Sequence, residues 1–465
     1  MPESFIQKLT TSMTRNDSLL CVGLDPDPER LPVDFKPDAL LAERMRAFCQ
    51  DIIERTADLV CCYKPNAAFF EQAGADGMAA LREVIAAVPQ EVPVLLDAKR
   101  GDIGNTAKAY ARAAFEVWGA DAITVSPYLG RDSVAPFLDY PGKTAFLLCH
   151  TSNPSAADVQ HHGTPPLYEQ IAQDAQMWGT ADQVGFVVGA TQVSALKRVR
   201  ALAPDRWLLA PGVGAQGGDL DLALAAGLDV GDTGMIVPVS RGVLYAADPR
   251  DAALTLRDAI QASRKTLRHN RHKALSLALF EAGCVRFGAF TLASGQTSPI
   301  YVDLRRVISY PELFRQVVAA YTGLVSSLRF ERLAAVPYAA LPAAAAIAMR
   351  LQQPLIYPRK EAKDHGTGQA VEGAFQSGQT ALAVEDVVTS GGSLLTAIET
   401  LEAVGLVVRD VVVLVDREQG GRDRLSEAGY QLHAVLTLGE ILDALREEDR
   451  IDAETFARVQ AYLRE

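Results

Sequence analysis

Residues 95–107, LLDAKRGDIGNTA, gather ionisable side chains at the end of an apolar run. Asp97 and Lys99 are two residues apart, so on an extended strand end both point to one face. Asp102 follows after a turn at Gly101, and Lys64 in YKPN ends an earlier apolar run. Two ammonium groups and two carboxylates could alternate there as a charged network. Such a network can stabilise developing negative charge and move a proton. A D-x-K pair alone is more often a simple salt bridge, but polar strand ends elsewhere in the same half lower that weight. A second group lies in TALAVEDVVTSGGSLLTAI, residues 380–398. There an apolar run ends in Glu385-Asp386, and Thr389, Ser390, Gly391, Gly392 and Ser393 precede a helical pattern. Small residues before a helix start form a phosphate cradle, and the acids could take ribose hydroxyls or Mg²⁺ through water. The bland alternative is a capped turn between a strand and a helix. No GK[ST] ending is present, so this is not a Walker A loop.

These groups need a scaffold. The first half carries eight short apolar runs: Leu19–Leu24, Leu59–Tyr63, Val92–Leu96, Ala122–Val125, Ala145–Cys149, Val184–Val188, Trp207–Ala210 and Met235–Val239. Segments of helical period separate them, among them Ala42–Ala57, Ala75–Ala87, Thr106–Trp118 and Pro166–Trp178. Repeated strand–helix units predict a parallel sheet, and eight of them predict a closed (β/α)8 barrel with its site at the C-terminal strand ends. Polar or glycine-rich residues follow every run. The helical stretch from Asp248 to Lys273 predicts a closing helix plus linker, with the boundary near 265–272. A second α/β domain, 272–465, follows, with strands predicted at Ile300–Asp303, Leu333–Val336, Leu355–Tyr357, Thr380–Val384, Val411–Val415 and Gln431–Leu436.

Composition agrees with a large globular chain. The 465 residues are 49% hydrophobic and 22% charged, which excludes disordered, collagen-like and disulfide-scaffold classes. The net charge of −12 argues against general nucleic-acid or anionic-membrane binding. Six cysteines form no CxxC and mostly sit in apolar runs, so buried, reduced thiols in a cytoplasmic protein are expected. The first residues, MPESFIQKLTTSMTRND, contain no apolar signal core. His161-His162 lies in a polar Gly/Pro-rich stretch and reads as solvated loop. The histidines show no metal-ligand spacing.

LLDAKRGDIGNTA resembles the signature of orotidine 5′-phosphate decarboxylases. YKPNAAFFE, CHTSNP, FVVGAT, LAPGVGAQGGD and VSRGVLYA resemble the longer-loop branch of that family, in the right order over residues 1 to about 260. The resemblance implies a barrel dimer that decarboxylates orotidine monophosphate without metal or organic cofactor. It makes Lys64, Asp97, Lys99 and Asp102 the charged tetrad, with Asp102 entering from the other subunit. It gives Asp25 to the ribose, Ser152 to the pyrimidine amide, Gln216 and Arg241 to the phosphate, and Thr106 to a ribose or cross-subunit contact. A Mg²⁺-using sugar-phosphate decarboxylase or aldolase of the same superfamily shares D-x-K-x-x-D, but Lys64 in YKPN and the CHTSNP segment argue against it.

The 380–398 segment resembles the phosphoribosyl pyrophosphate motif of type I phosphoribosyltransferases. FGAFTLASGQTSPIYVDLR, VPYAALPAAAAIA, PRKEAKDHGTGQAVEG and VDREQGG resemble orotate phosphoribosyltransferases, from about residue 272 to 465. The resemblance implies a mobile flap of Arg359, Lys360, Lys363 and His365. Its cations would neutralise pyrophosphate, and Lys363 and His365 would protonate it as it leaves. It also implies Tyr338 on the pyrophosphate side, Arg417 on the orotate carboxylate, and Mg²⁺ carried by phosphoribosyl pyrophosphate rather than ligated directly. The family commonly has lysine where TLASG has Ala293. The two halves would then perform consecutive steps: orotate to orotidine monophosphate, then to uridine monophosphate. Both imply dimers, so a homo-oligomer, dimer or tetramer, is expected. The alternative, favoured by Ala293, is an active decarboxylase whose second domain only binds phosphoribosyl pyrophosphate or serves assembly. A purely structural role is disfavoured by the intact tetrad.

Overall fold

The computed structural model describes residues 3–32, 35–36, 38–213, 218–291, 297–326, 328–359 and 370–464. Gln216, Ala293, Lys360, Lys363 and His365 lie outside the described residues. The chain divides into two compact units, Met1–Asp229 with Thr233–Thr266, and Val230–Asp232 with Leu267–Glu465.

In the first unit eight strands form one parallel sheet. They are β1 (Leu20–Leu24), β2 (Cys62–Pro65), β3 (Leu95–Arg100), β4 (Ala122–Val125), β5 (Thr144–His150), β6 (Val184–Val188), β7 (Leu208–Leu209) and β8 (Met235–Val239). Their order is β2-β1-β8-β7-β6-β5-β4-β3. Parallel bridges Tyr63–Val94 and Asn66–Asp97 join the two outer strands, completing the predicted barrel. Apart from the half-buried Leu148, the Val, Ile, Leu and Phe residues of these strands are buried, as a core covered on both faces requires. Phe5, on the capped N-terminal helix Phe5–Asn16, packs edge-on against Phe146 of β5 with ring centroids 5.8 Å apart.

Two strands sit later than their apolar runs suggest. Lys64 lies within β2, and Asp97 and Lys99 lie within β3. The β3 end is also not regularly extended. Its register with β4 shifts between Leu96 and Arg100, and Lys99 has φ +47°. The segment 265–272 is helical: one helix runs Pro249–Glu281. After Pro249 that segment has neither proline nor glycine, and Ala, Leu, Arg and Lys dominate it, so nothing in it stops a helix.

In the second unit β9 (Val285–Thr291) pairs antiparallel with β10 (Thr297–Val302). A six-stranded sheet then contains β11 (Arg332–Ala335), β12 (Leu355–Pro358), β13 (Val371–Glu372), β14 (Thr380–Val388), β15 (Val407–Asp416) and β16 (Gln431–Thr437). Its order is β13-β12-β11-β14-β15-β16, parallel except for β13. Both faces are covered, by clusters centred on Val317, Tyr321 and Leu442 and on Leu394, Ile398 and Leu401. Strands β9 and β13 were not predicted. β9 alternates buried and exposed residues weakly, and β13 is two residues long.

Candidate active sites

The C-terminal ends of the barrel strands surround a cavity of ≈ 790 Å³. Lys64 from β2 places Nζ 3.0 Å from Oδ2 of Asp97, and Lys99 places Nζ 2.6 Å from Oδ1 of the same carboxylate. Lys64 and Asp97 are 6% and 9% exposed, whereas Lys99 is exposed. Burial would depress the Lys64 ammonium, but the carboxylates of Asp97 and Asp25 outweigh it and hold its pKa well above the ordinary lysine range. Burial would raise Asp97, but Lys64 and Lys99 outweigh that and hold it well below the carboxylate range. Both ion-pair members therefore stay charged across the physiological range. Thr124 of β4 donates its hydroxyl to Asp97 Oδ1 at 3.0 Å.

Asp25, after β1, lines the cavity, and its Oδ1 is buried without a hydrogen-bond partner among the described residues, an acceptor open to a ligand hydroxyl. Sequence reasoning missed what holds that loop. The Tyr245 hydroxyl accepts from Asp27 N at 2.8 Å and donates to Asp25 O at 3.0 Å. Ser152 lies on the cavity wall beside Gly189, where an added Cβ would approach the Ser152 Cβ to 3.0 Å. A glycine after β6 is what lets that serine come close. Arg241 opens a short helix after β8 and also faces the cavity.

Asp102 and Thr106 are not brought to this cavity. Among the described residues Asp102 accepts from the neighbouring Ile103 N at 2.7 Å, and Thr106 is exposed. His161 is exposed in a turn, as a solvated loop would have it, and also sets Nε2 2.8 Å from Nε2 of the buried His150; both rings contact Tyr168. Between them Gln160 accepts from Thr151 N at 2.9 Å and donates to Thr151 Oγ1 at 2.8 Å. Ser152 is the next residue.

Burial, then the neighbouring His161, lower the His150 pKa below the usual histidine range. The unfolded chain therefore takes up more protons in acid. This contribution to stability is complete above the unfolded pKa of about 6.5 and is lost as pH falls through the folded value. Tm is expected to fall below about pH 6.5, less steeply in His161→Asn, where the second imidazole is gone. Scanning calorimetry from neutral to mildly acid pH checks this, and equal slopes for both proteins would contradict it.

In the second unit Glu385 and Asp386 lie near the end of β14, followed by exposed Thr389 and Ser390. Gly391, with φ +75°, turns the chain into the helix Gly392–Ala403, whose first turn has no side-chain cap. Its N–H groups and Ser393 are thus presented to an anion. Burial raises the Asp386 carboxyl above its ordinary range. Arg417, after β15, is 8% exposed, and its Nε and Nη2 are buried without hydrogen-bond partners among the described residues. Tyr338 is exposed after β11, and Arg359 is ion-paired with Glu372 rather than extended to solvent. Among the described residues no cluster of three or more His, Cys, Asp or Glu is arranged to hold a metal.

Fold and sites together place the chain among the α/β enzymes of nucleotide chemistry, a barrel lyase first and a transferase second. The chain belongs to the Orotidine 5′-phosphate decarboxylase / HUMPS family, whose model matches residues 18–256; a Phosphoribosyl transferase domain model matches residues 316–428. It is similar to the bifunctional enzyme PyrF/PyrE of a Nostoc species, 40% identical over 98% of this chain and 99% of that one. It is also similar to the solved UMP synthase of Leishmania donovani, with 45% identity, 99% of both chains covered and a TM-score of 0.71. The orotidine 5′-phosphate decarboxylase of a Roseiflexus species is 49% identical over 56% of this chain and 98% of its own.

Proposed function

We propose that this bifunctional enzyme of UMP biosynthesis uses the Lys64–Asp97–Lys99 chain to decarboxylate orotidine monophosphate. The second unit supplies that substrate from orotate and phosphoribosyl pyrophosphate. The observation that carries the reading is one buried carboxylate clasped by two ammonium groups at the barrel mouth. In this reading the C6–carboxylate bond breaks, CO₂ leaves, and the electron pair stays on C6. The Lys99 ammonium stabilises that pair and then gives C6 its proton, while Lys64 keeps Asp97 ionised and in place. A fixed ammonium supplies both charge and proton, so the step requires no metal or organic cofactor. Asp25 takes the ribose, Ser152 the pyrimidine amide, and Arg241 with Gln216 the phosphate. Binding energy of that remote phosphate can then serve the reacting carbon. Asp102 lies off its own cavity and beside the exposed Ile103, which supports a role in a neighbouring subunit's site, with Thr106, in a homodimer or tetramer.

In the second unit the reading gives the phosphate of phosphoribosyl pyrophosphate to residues 389–393 and its ribose to Glu385 and Asp386. The donor set fits a Mg²⁺ that arrives with this substrate: a buried acid with a raised pKa gains from a cation or hydroxyl beside it. Bound Mg²⁺ neutralises pyrophosphate charge. Tyr338, Arg359, Lys360, Lys363 and His365 take the leaving pyrophosphate, and Arg417 the orotate carboxylate. The six free, buried cysteines and the acidic chain suit a cytoplasmic setting without nucleic-acid or membrane partners. Among the described residues no helix is long and apolar enough to cross a membrane.

An ultraviolet assay tests both steps. Orotate, phosphoribosyl pyrophosphate and Mg²⁺ are supplied in one run and orotidine monophosphate in another. Uridine monophosphate is expected from both. Product from the second run alone would reduce the second unit to a binding or assembly domain.

A further inference from the structure

Asp97 and Lys99 sit on a stretch of β3 that has left the regular ladder. Between Leu96 and Arg100 the register with β4 slips, and Lys99 adopts φ +47°, a left-handed conformation rare for a residue with a side chain. Backbone N–H groups in such a bulge lack their ladder acceptors and must find others. Both find the same atom. The Thr124 hydroxyl, on β4, accepts from Ala98 N at 3.0 Å and from Lys99 N at 2.9 Å. It spends its one proton on Asp97 Oδ1 at 3.0 Å. One donor and two acceptors are a hydroxyl's full capacity. Thr124 is 1% exposed, so water does not replace a lost partner there without rearrangement.

We infer that Thr124 is the positioning residue of the decarboxylation site, its hydroxyl fixing at once the Asp97 carboxylate and the left-handed backbone from which Lys99 reaches that carboxylate. The inference rests on the reading that Lys99 is the proton donor and goes beyond it. Valine at 124 keeps the shape and removes all three bonds. Two backbone donors are then left unpaired beside the lysine, and Asp97 keeps only its ammonium partners. Serine keeps the hydroxyl and drops a methyl group. The geometry that matters is that of Lys99 against C6, so the loss falls on turnover rather than on holding ribose and phosphate, which Asp25 and Arg241 would do from other strands.

Thr124→Val, Thr124→Ala, Thr124→Ser and Lys99→Ala are compared in the full chain. For Thr124→Val, kcat for orotidine monophosphate is expected to fall about 10²-fold, the scale of one misplaced or missing preorganised group, with KM and uridine monophosphate affinity within about threefold. Thr124→Ala is expected to match it, which keeps the test alive if the valine protein folds poorly. Thr124→Ser is expected to stay within about threefold of wild type. If Thr124→Val and Thr124→Ala turn over at the wild-type rate while Lys99→Ala is inactive, the inference is wrong and the reading of Lys99 stands. If serine is as impaired as valine, bulk rather than the hydroxyl is at work and the inference is again wrong. If Lys99→Ala itself remains active, the underlying reading fails.

Discussion

Lys99→Ala is expected to lower decarboxylation at least about 10⁴-fold, the combined scale of a lost proton donor and a lost electrostatic stabiliser. Its ammonium is the exposed member of the Lys64–Asp97–Lys99 chain and so the one positioned to meet a substrate in the cavity. Lys64 is buried against the other oxygen of Asp97 and cannot substitute without abandoning that carboxylate. Removing Lys99 leaves Asp97 still paired with Lys64, so the barrel is expected to fold and to bind nucleotide. The second unit is untouched. Fed orotate and phosphoribosyl pyrophosphate, the variant is therefore expected to accumulate orotidine monophosphate in place of uridine monophosphate. That accumulation separates a catalytic loss from a folding loss in one chromatogram. Decarboxylation within tenfold of wild type would remove Lys99 from the mechanism.

The sequence exposes what is local. The barrel runs are short, apolar and separated by helical periods, and β4, β6 and β8 have the observed limits because both faces of each strand are buried. Lys64, Asp97 and Lys99 are legible because charge inside apolar strand ends is costly without a purpose. What stays hidden depends on contacts across the sequence. Thr124 reads as an ordinary β-branched residue in AITV, although a hydroxyl inside a buried run signals that some partner must exist. His161 carries no local hint of its bond to His150, eleven residues away; the polar composition around it tells only of its exposure. The bulge at Lys99 follows from the cross-strand slip, which no periodicity encodes. In the second unit, VDREQGG places Arg417 in a motif but says nothing of its burial.

That burial makes the second large prediction. Arg417 has only 8% of its surface exposed, and two of its guanidinium nitrogens are buried without a hydrogen-bond partner among the described residues. Burial lowers its pKa from the usual arginine value, the sign of an ion held where water cannot solvate it. Its backbone N–H, bonded to Val388 O at 3.0 Å, fixes the chain at the end of β14, the strand that carries Glu385 and Asp386. A fold that keeps such a charge without a counter-ion among the described residues is less stable for it, and a carboxylate ligand offsets the cost. Arg417→Met, which retains much of the apolar stem, is therefore expected to move two observables in opposite directions. Without substrate, its Tm should equal or exceed that of wild type. The kcat/KM for orotate should fall about 10²–10³-fold, the range for truncating one partner of a buried, hydrogen-bonded charge pair. Decarboxylation of supplied orotidine monophosphate should be unchanged, since the barrel is intact. Stabilisation of the protein by orotate, measured by thermal shift, should disappear. A lowered Tm together with undiminished use of orotate would mean that Arg417 serves the fold, and the orotate carboxylate would have to be sought elsewhere.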